Sequence, residues 1–403
     1  WFAGRLDARK WRPGLHCMTL GNGSAPVTIV GGSATGLFAA ERLARAGRPV
    51  TLLEGADDWS PEPRTLIVTR RMRDLLGPVG DRAVVNTISR FELRTDGRHA
   101  TILLSEPDLI IERAVLVPGL AELAQGAGVD LRLSSRVRSL TATDDGVTLE
   151  VGRNGSTEEL NATTVVGADG SFSRIARAAG WPPLTTVPLI QAIVKLPPDL
   201  TPDTTRVWFK PDDTPYFYWL IPESAEKGAL GLIGEDGPET RRCLERFLEQ
   251  HSLEPLEFQA ARIPCYTQWV PPHRRMGGAD IFLVGDAAAH VKVTTIGGIV
   301  TGFRGALGVA DTILHGRTSG ALNRLKRELD WHRLVRRSLE RFSEEDYGLL
   351  LDVLNPGAKG VLSRLTRDEP ARVMLRLCLA QPRLLLLALR TLLVSSPRPP
   401  LPS

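Results

Sequence analysis

The stretch from Val27 to Glu54 constrains this chain more than any other. Val27–Val30 is a short apolar run with β-branched residues and predicts a buried strand. Gly31–Gly36 follows as a turn, Leu37–Ala46 carries apolar residues at helical spacing up to Gly47, and Val50–Leu53 is a second buried strand closed by Glu54. A strand, turn, helix and strand in such close order form a parallel pair, because the helix carries the chain back across the sheet. The helix N-terminus offers unpaired N–H groups and the positive end of the helix dipole to phosphate oxygens. Within the turn Gly31 permits the tight bend. Ser33 stands where a second fingerprint glycine would let a pyrophosphate approach, and Gly36 lets helix and strand pack closely. Glu54 is placed to accept hydrogen bonds from ribose hydroxyls.

Two later segments share the pattern of a buried strand ending in a glycine–acid turn. They are Val165-Val-Gly-Ala-Asp-Gly-Ser-Phe-Ser-Arg174 and Ile281-Phe-Leu-Val-Gly-Asp-Ala-Ala288. Asp169 and Asp286 are therefore expected at the carboxyl ends of strands, where open α/β sheets bind cofactors.

The three segments, in this order, resemble the GxGxxG, DG and GD motifs of the flavoprotein hydroxylase superfamily over roughly residues 25–315. The resemblance implies FAD as the cofactor. It implies that Gly31, Gly32, Ser33 and Gly36 form the pyrophosphate loop, with Glu54 on the ribose and Asp169 and Asp286 in the later turns. It further implies an FAD contact from Arg113, which otherwise reads as a surface arginine, and an adenine contact from the backbone of Val137. Gly297, Gly298 and Ile299 would face the isoalloxazine, and their helix N-terminus would stabilise negative charge on reduced flavin. Arg64, in a hydroxylase-like stretch Pro63–Arg70, is either a flavin contact or a loop charge.

Within that superfamily, Gly285-Asp-Ala-Ala-Ala-His-Val-Lys-Val-Thr-Thr-Ile-Gly-Gly-Ile299 is similar to the geranylgeranyl reductase pattern GDAAG-x-VKPTTGGGI. Val293 replaces the proline and Ile296 a glycine. Hydroxylases carry histidine directly after GDAA; here that position is Ala289, and His290 is one step late, which suits a packed or surface role. Pro215-Tyr-Phe-Tyr-Trp-Leu-Ile-Pro222 is similar to the reductases' PxxYxWxFP. Phe217, Trp219 and Pro222 would line an apolar tunnel for an isoprenoid, although a sandwich-core strand fits the same residues. The segment also resembles the WxWxIP of flavin halogenases, but those need a substrate-side lysine, and no lysine lies between Lys10 and Lys195. The cysteine that many such reductases carry after the ribose acid is missing from residues 55–113.

The rest of the chain sets the architecture. Arg70–Leu76 suggests a short helix, and the stretch to about 110 looks like strands. Ala114–Ala127 predicts a helix, and Leu131–Leu133, Val147–Val151 and Thr164–Val166 predict strands. Residues 185–270 read as a mostly antiparallel sheet, and Gly298–Leu314 as a helix. The expected fold is α/β. A Rossmann-type FAD-binding domain (25–60, 105–180, 275–320) is interrupted by a substrate domain (61–104, 181–274). A helical region (321–394) and a flexible tail (395–403) follow. Residues 1–24 are expected to be an N-terminal extension without signal-peptide character.

Four scattered cysteines argue against a disulfide framework or a zinc site, and no metal is expected. A net charge of +4 carries no strong field for nucleic acid. No run of eighteen apolar residues exists, so no transmembrane helix is expected; the scattered cysteines suit a reducing, cytoplasmic compartment. The leucine-rich stretch Ala371–Val394, interrupted at Pro382, places Arg376, Arg383 and Arg390 seven apart. It either lies peripherally in a membrane interface or packs on the protein with its arginines in water.

The leading functional expectation is an FAD-dependent oxidoreductase that reduces C=C bonds of a prenyl lipid or prenylated quinone. NAD(P)H or ferredoxin would be its transient donor. The alternative is an NAD(P)H- and O2-dependent monooxygenase. The sequence names no catalytic acid.

Overall fold

The four-residue runs Val27–Val30 and Thr164–Gly167 are buried at every position, as strands covered on both faces must be. In the computed structural model, which describes residues 25–153, 155–384, 386, 387 and 390, they sit side by side at the centre of a six-stranded sheet. The strand order is His273–Met276, Ala279–Leu283, Thr164–Gly167, Val27–Val30, Val50–Leu53, Asp130–Arg132. All neighbours are parallel except the antiparallel edge strand His273–Met276. Ile29 pairs with both Val166 and Leu52, and Val166 with Phe282. This register brings the turns after Val30, Gly167 and Leu283 to one edge. The expected extension (1–24) and tail (395–403) lie outside the described residues.

Helices Ala34–Arg45, Arg113–Gly126 and Ile299–His315 cover one face of this sheet through a core that includes Leu37, Phe38, Leu120 and Phe303. A three-stranded antiparallel sheet (Ser135–Ala142, Val147–Arg153, Ser156–Ala162) covers the other. Its middle strand alternates, with Val147, Leu149 and Val151 turned inward against Val165 and Ile281.

The second large sheet has eight strands: Pro255–Pro264, Thr186–Lys195, Lys227–Ile233, Tyr218–Pro222, Thr204–Trp208, Val84–Thr95, Arg98–Glu112, Thr65–Val68. It is antiparallel except where Thr204–Trp208 runs parallel to Val84–Thr95. Alternation along Tyr218–Pro222 divides its faces. Tyr218 and Leu220 turn to helix Gly237–Gln250, while Trp219 and Ile221 turn to the opposite side with Ile88 and Ile110.

Three expectations need correction. The domain break placed at 104/105 falls inside the strand Arg98–Glu112, which pairs along its length with Val84–Thr95 and Thr65–Val68. The stretch after Leu76 does not go straight into strands, since Pro78–Arg82 is helical and Val79 joins the core under the first sheet. The Gly237–Gln250 helix interrupts the region read as sheet, with Asp236 accepting from the Glu239 N–H at 3.0 Å as its N-cap. The C-terminal region is helical, and its leucine-rich run breaks at the expected interruption: Pro370–Ala380 is a helix that stops at Gln381 before Pro382.

Candidate flavin site

Gly31 has φ +106°, and a Cβ there would lie 2.5 Å from the Ala168 carbonyl oxygen, so only glycine fits between the first strand and its neighbour. Gly32 follows, and Ser33 caps the helix, its Oγ accepting from the Gly36 N–H at 3.1 Å. Ser33 has ordinary extended backbone (φ −63°), which explains why serine serves where a glycine was expected. Glu54 ends the neighbouring strand. Its carboxylate accepts from Gly32 N–H at 2.5 Å and Ala56 N–H at 2.8 Å, leaving lone pairs free for ribose hydroxyls.

Arg64, Arg113 and Asp286 converge from three parts of the chain. The backbones of the arginines are joined, Arg113 N–H donating to Arg64 O at 3.2 Å. Glu112 accepts from Arg64 N–H at 2.9 Å and from Ala114 N–H at 2.8 Å as the cap of the Arg113–Gly126 helix. Neither guanidinium has a hydrogen-bond or ion-pair partner among the described residues, and both side chains are only half-buried. Burial and the charge of Arg113 pull the Arg64 pKa down, with Asp286 opposing. Burial pushes the Asp286 carboxyl up, with Arg64 and Arg113 opposing. Two unpartnered cations beside one carboxylate fit an anionic ligand with hydroxyl groups, the character of a ribityl pyrophosphate.

The Asp286 turn continues through Gly297 and Gly298 into the helix starting at Ile299. No side chain caps that helix, so its first N–H groups face the same space. A Cβ on Gly298 would lie 3.3 Å from Asp286 Oδ1. Among the sequence-expected residues, Gly32 is thus joined to Glu54, Ser33 to Gly36, and Asp286 stands beside Arg64, Arg113 and Gly298, where Gly297 and Gly298 lead into the helix at Ile299. Asp169 plays a different part. Its carboxylate is occupied by Ser173 Oγ (2.5 Å), Arg174 N–H (2.7 Å) and Ile175 N–H (3.3 Å), so it holds the turn. Val137 lies in the strand Ser135–Ala142 where the ladder skips a residue, with its side chain in the core beside Leu53.

His290 is fully buried, its ring 5.7 Å from that of Trp269, and burial holds its pKa down to about 3. It is a packed neutral histidine. Trp219 lies over the turn, in one cluster with Ile88, Ile110, Ile221, Val291 and Ile296, and its ring meets Phe217 edge-on at 6.1 Å. Pro222 ends the strand, its carbonyl accepting from Asn86 Nδ2 at 3.0 Å. Phe91 links this face to a mostly apolar cavity of about 230 Å³ against the C-terminal helices, lined also by Leu93, Ile102, Leu104, Leu362 and Leu365. Asp108 and Arg367, paired at 2.6 Å, stand in its wall.

Sequence reasoning missed the polar contacts that tie this site to the C-terminal region. Lys292 pairs with Asp368, and Thr294 Oγ1 lies 2.7 Å from His332 Nδ1. The partners are far apart in sequence, and no local spacing signals them.

A mostly parallel sheet with a glycine-rich turn and two acid-bearing turns at one edge, an uncapped helix N-terminus and unpartnered arginines defines a dinucleotide-binding flavoprotein. The chain belongs to the FAD binding domain family, whose model matches residues 24–315. It is 28% identical over 306 residues to digeranylgeranylglycerophospholipid reductase 2 of Methanopyrus kandleri, covering 68% of this chain and 73% of that protein. It is 29% identical over 309 residues to geranylgeranyl diphosphate reductase of Rhodobacter capsulatus, covering 72% and 75%. The crystal structure of a geranylgeranyl bacteriochlorophyll reductase-like protein from Thermoplasma acidophilum superposes with a TM-score of 0.75 at 19% identity, over 92% of this chain and 100% of that one. That likeness establishes a common fold.

Proposed function

We propose that this protein is an FAD-dependent oxidoreductase that reduces C=C bonds in the apolar chain of a prenyl lipid or prenylated quinone. One observation carries the reading. The flavin-side turn, through Val291 and Ile296, packs on a mostly apolar sheet face of Ile88, Ile110, Trp219 and Ile221, where the buried Trp219 Nε1 has no partner among the described residues. A hydroxylase acting on a polar aromatic would need polar groups there to orient its substrate.

In this reading Gly31–Gly36 and Glu54 hold the adenosine and pyrophosphate end of FAD, with Val137 beside the adenine. Arg64, Arg113 and Asp286 hold its middle, and Gly297–Ile299 meet the isoalloxazine. Bound FAD would supply the hydride, an acid at the site would supply the proton to the adjacent carbon, and NAD(P)H or ferredoxin would be the electron source. Phe217, Trp219 and Pro222 line the substrate path, where each buried CH2 contributes about 0.8 kcal/mol. These apolar walls also exclude water from the reacting carbon. The names of the two reductase relatives support the substrate class. No helix among the described residues is long and apolar enough to cross a membrane. The exposed Leu375 and Leu379, flanked by exposed Arg372 and Arg376, support peripheral contact with a lipid surface.

The test is anaerobic. The holoprotein is reduced with dithionite, mixed with a geranylgeranyl lipid or a prenylated quinone, and the product weighed by mass spectrometry. A gain of two hydrogens per double bond with flavin reoxidation is expected. Unchanged substrate across the panel, with an oxygen atom incorporated once O2 is admitted, would replace this reading with a monooxygenase.

A further inference from the structure

The turn entering the Ile299–His315 helix is braced from the far end of the chain. Lys292 N–H donates to Gly297 O at 3.2 Å, and a Cβ on Gly297 would lie 3.6 Å from Lys292 Nζ. The ammonium thus stands directly behind the turn. It donates to Asp368 Oδ1 at 2.5 Å, and the two side chains are 6% and 0% exposed. Thr69 also donates to the Asp368 carboxylate, and Arg71 Nη1 donates to the Asp368 carbonyl at 3.3 Å. Burial opposes ionisation of Asp368, but Lys292 and Thr69 outweigh it and hold the carboxyl below the usual range. The other charges nearby are themselves paired: Arg71 with Glu369 at 3.8 Å, Arg367 with Asp108, and Arg304 with Glu328. The neighbouring His332 is kept neutral by burial and by Lys292.

Buried charges are weakly screened, so their balance reaches a neighbouring redox group. We propose that Lys292 and Asp368 form a charge-balanced positioning pair that sets the reduction potential of the bound flavin. Asp368 cancels the positive charge that Lys292 would otherwise present at the turn. The C-terminal region thereby becomes part of the flavin's electrostatic environment rather than an appendage. This rests on the reading that Gly297–Ile299 meet the isoalloxazine. A reduced flavin is the more negative state, so an uncompensated cation favours it and an uncompensated carboxylate disfavours it.

The experiment is a midpoint-potential titration of purified holoproteins, with FAD affinity measured alongside. Asp368→Asn keeps an acceptor for Lys292 and Thr69 while removing the negative charge. It is expected to raise the potential, with about a tenfold gain in the reduced-to-oxidised equilibrium, or about 30 mV for a two-electron couple. Lys292→Met is expected to lower it, with Lys292→Gln as its replacement should Met fail to fold. The double variant Lys292→Met/Asp368→Leu should return close to the unsubstituted value. Shifts of the same sign from both single variants, or none from Asp368→Asn, would overturn the proposal. Gly298→Val separates this from the underlying reading, because its side chain would press on Val291 and Asp286. If Gly298→Val binds FAD normally, the flavin placement itself fails. If it loses FAD while the single variants do not shift in opposite directions, only the charge-pair inference fails.

Discussion

The Gly32 N–H donates to Glu54 Oε2 at 2.5 Å, joining the turn after the first strand to the end of the second. The acid that would hold the ribose also fixes the loop that would hold the pyrophosphate. Replacing Glu54 with alanine removes both functions. Loss of charged hydrogen bonds costs about 1.5–3 kcal/mol, so FAD affinity should fall roughly tenfold to a hundredfold. Fluorescence titration of the apoprotein with FAD measures this, and an affinity within twofold of the parent would reject a ribose role for Glu54.

Arg64 and Arg113 lack hydrogen-bond and ion-pair partners among the described residues, which distinguishes them from most of the described arginines. Arg113→Met should weaken FAD binding by roughly tenfold, as should Arg64→Met, each removing a charge-assisted contact to an anion. Both should also flatten the dependence of affinity on ionic strength. Thermal stability of the apoprotein should hardly change, because no internal ion pair is lost. A large drop in apoprotein stability with unchanged FAD affinity would show these arginines to be structural.

The parts of the site visible in the sequence are those written locally. A buried strand followed by a glycine-rich or glycine–acid turn needs only consecutive residues, so the turns at Gly31, Asp169 and Asp286 are legible from their own segments. The occupancy of Asp169 by Ser173 and the following N–H groups is not legible that way, because one acid in a turn fits a cap as well as a ligand. The expected break at 104/105 cuts the strand Arg98–Glu112, because no local residue signals that the run on either side of it is one strand. Lys292 and Asp368 lie 76 residues apart, and nothing in either neighbourhood names the other. The Gly237–Gln250 helix did carry its signals, an Asp236 cap and Pro238 in the first turn, but they were submerged in a β-rich region.

Phe217 is half-buried beside Trp219, so it can be shortened at less structural cost than the buried Trp219. Phe217→Ala should retain flavin absorbance and raise KM for a prenyl substrate about tenfold, corresponding to roughly 1.5 kcal/mol of lost apolar burial. Steady-state kinetics with substrates of increasing chain length provide the check. An unchanged KM at every length would remove Phe217 from the substrate path.

Leu375 and Leu379 lie one turn apart on the Pro370–Ala380 helix, 64% and 74% exposed. An apolar face flanked by arginines favours an anionic lipid interface. Leu375→Glu/Leu379→Glu should cut co-sedimentation with anionic vesicles at least tenfold and leave turnover of a detergent-dispersed substrate unaffected. Equal sedimentation of both proteins would refute the membrane role of this helix.

His290 makes a sign-definite prediction about pH. Burial holds its folded pKa down to about 3, whereas an unfolded imidazole takes up a proton near pH 6.5. Between those values the unfolded chain binds more protons than the folded one, so stability must fall as pH falls. The slope approaches about 1.4 kcal/mol per pH unit for one such histidine. His332, also buried and also held down to about 3, contributes in the same direction. Carboxylates add their own dependence below about pH 5, so the informative window runs from pH 6.5 to 5. Replacing His290 with methionine removes one of the two titrations while keeping an apolar side chain against Gly305 and Trp269. Denaturant unfolding of the two holoproteins across that window should give a steeper loss for the parent than for the variant. Identical slopes would mean that His290 takes up its proton in the folded state, through an opening of its pocket.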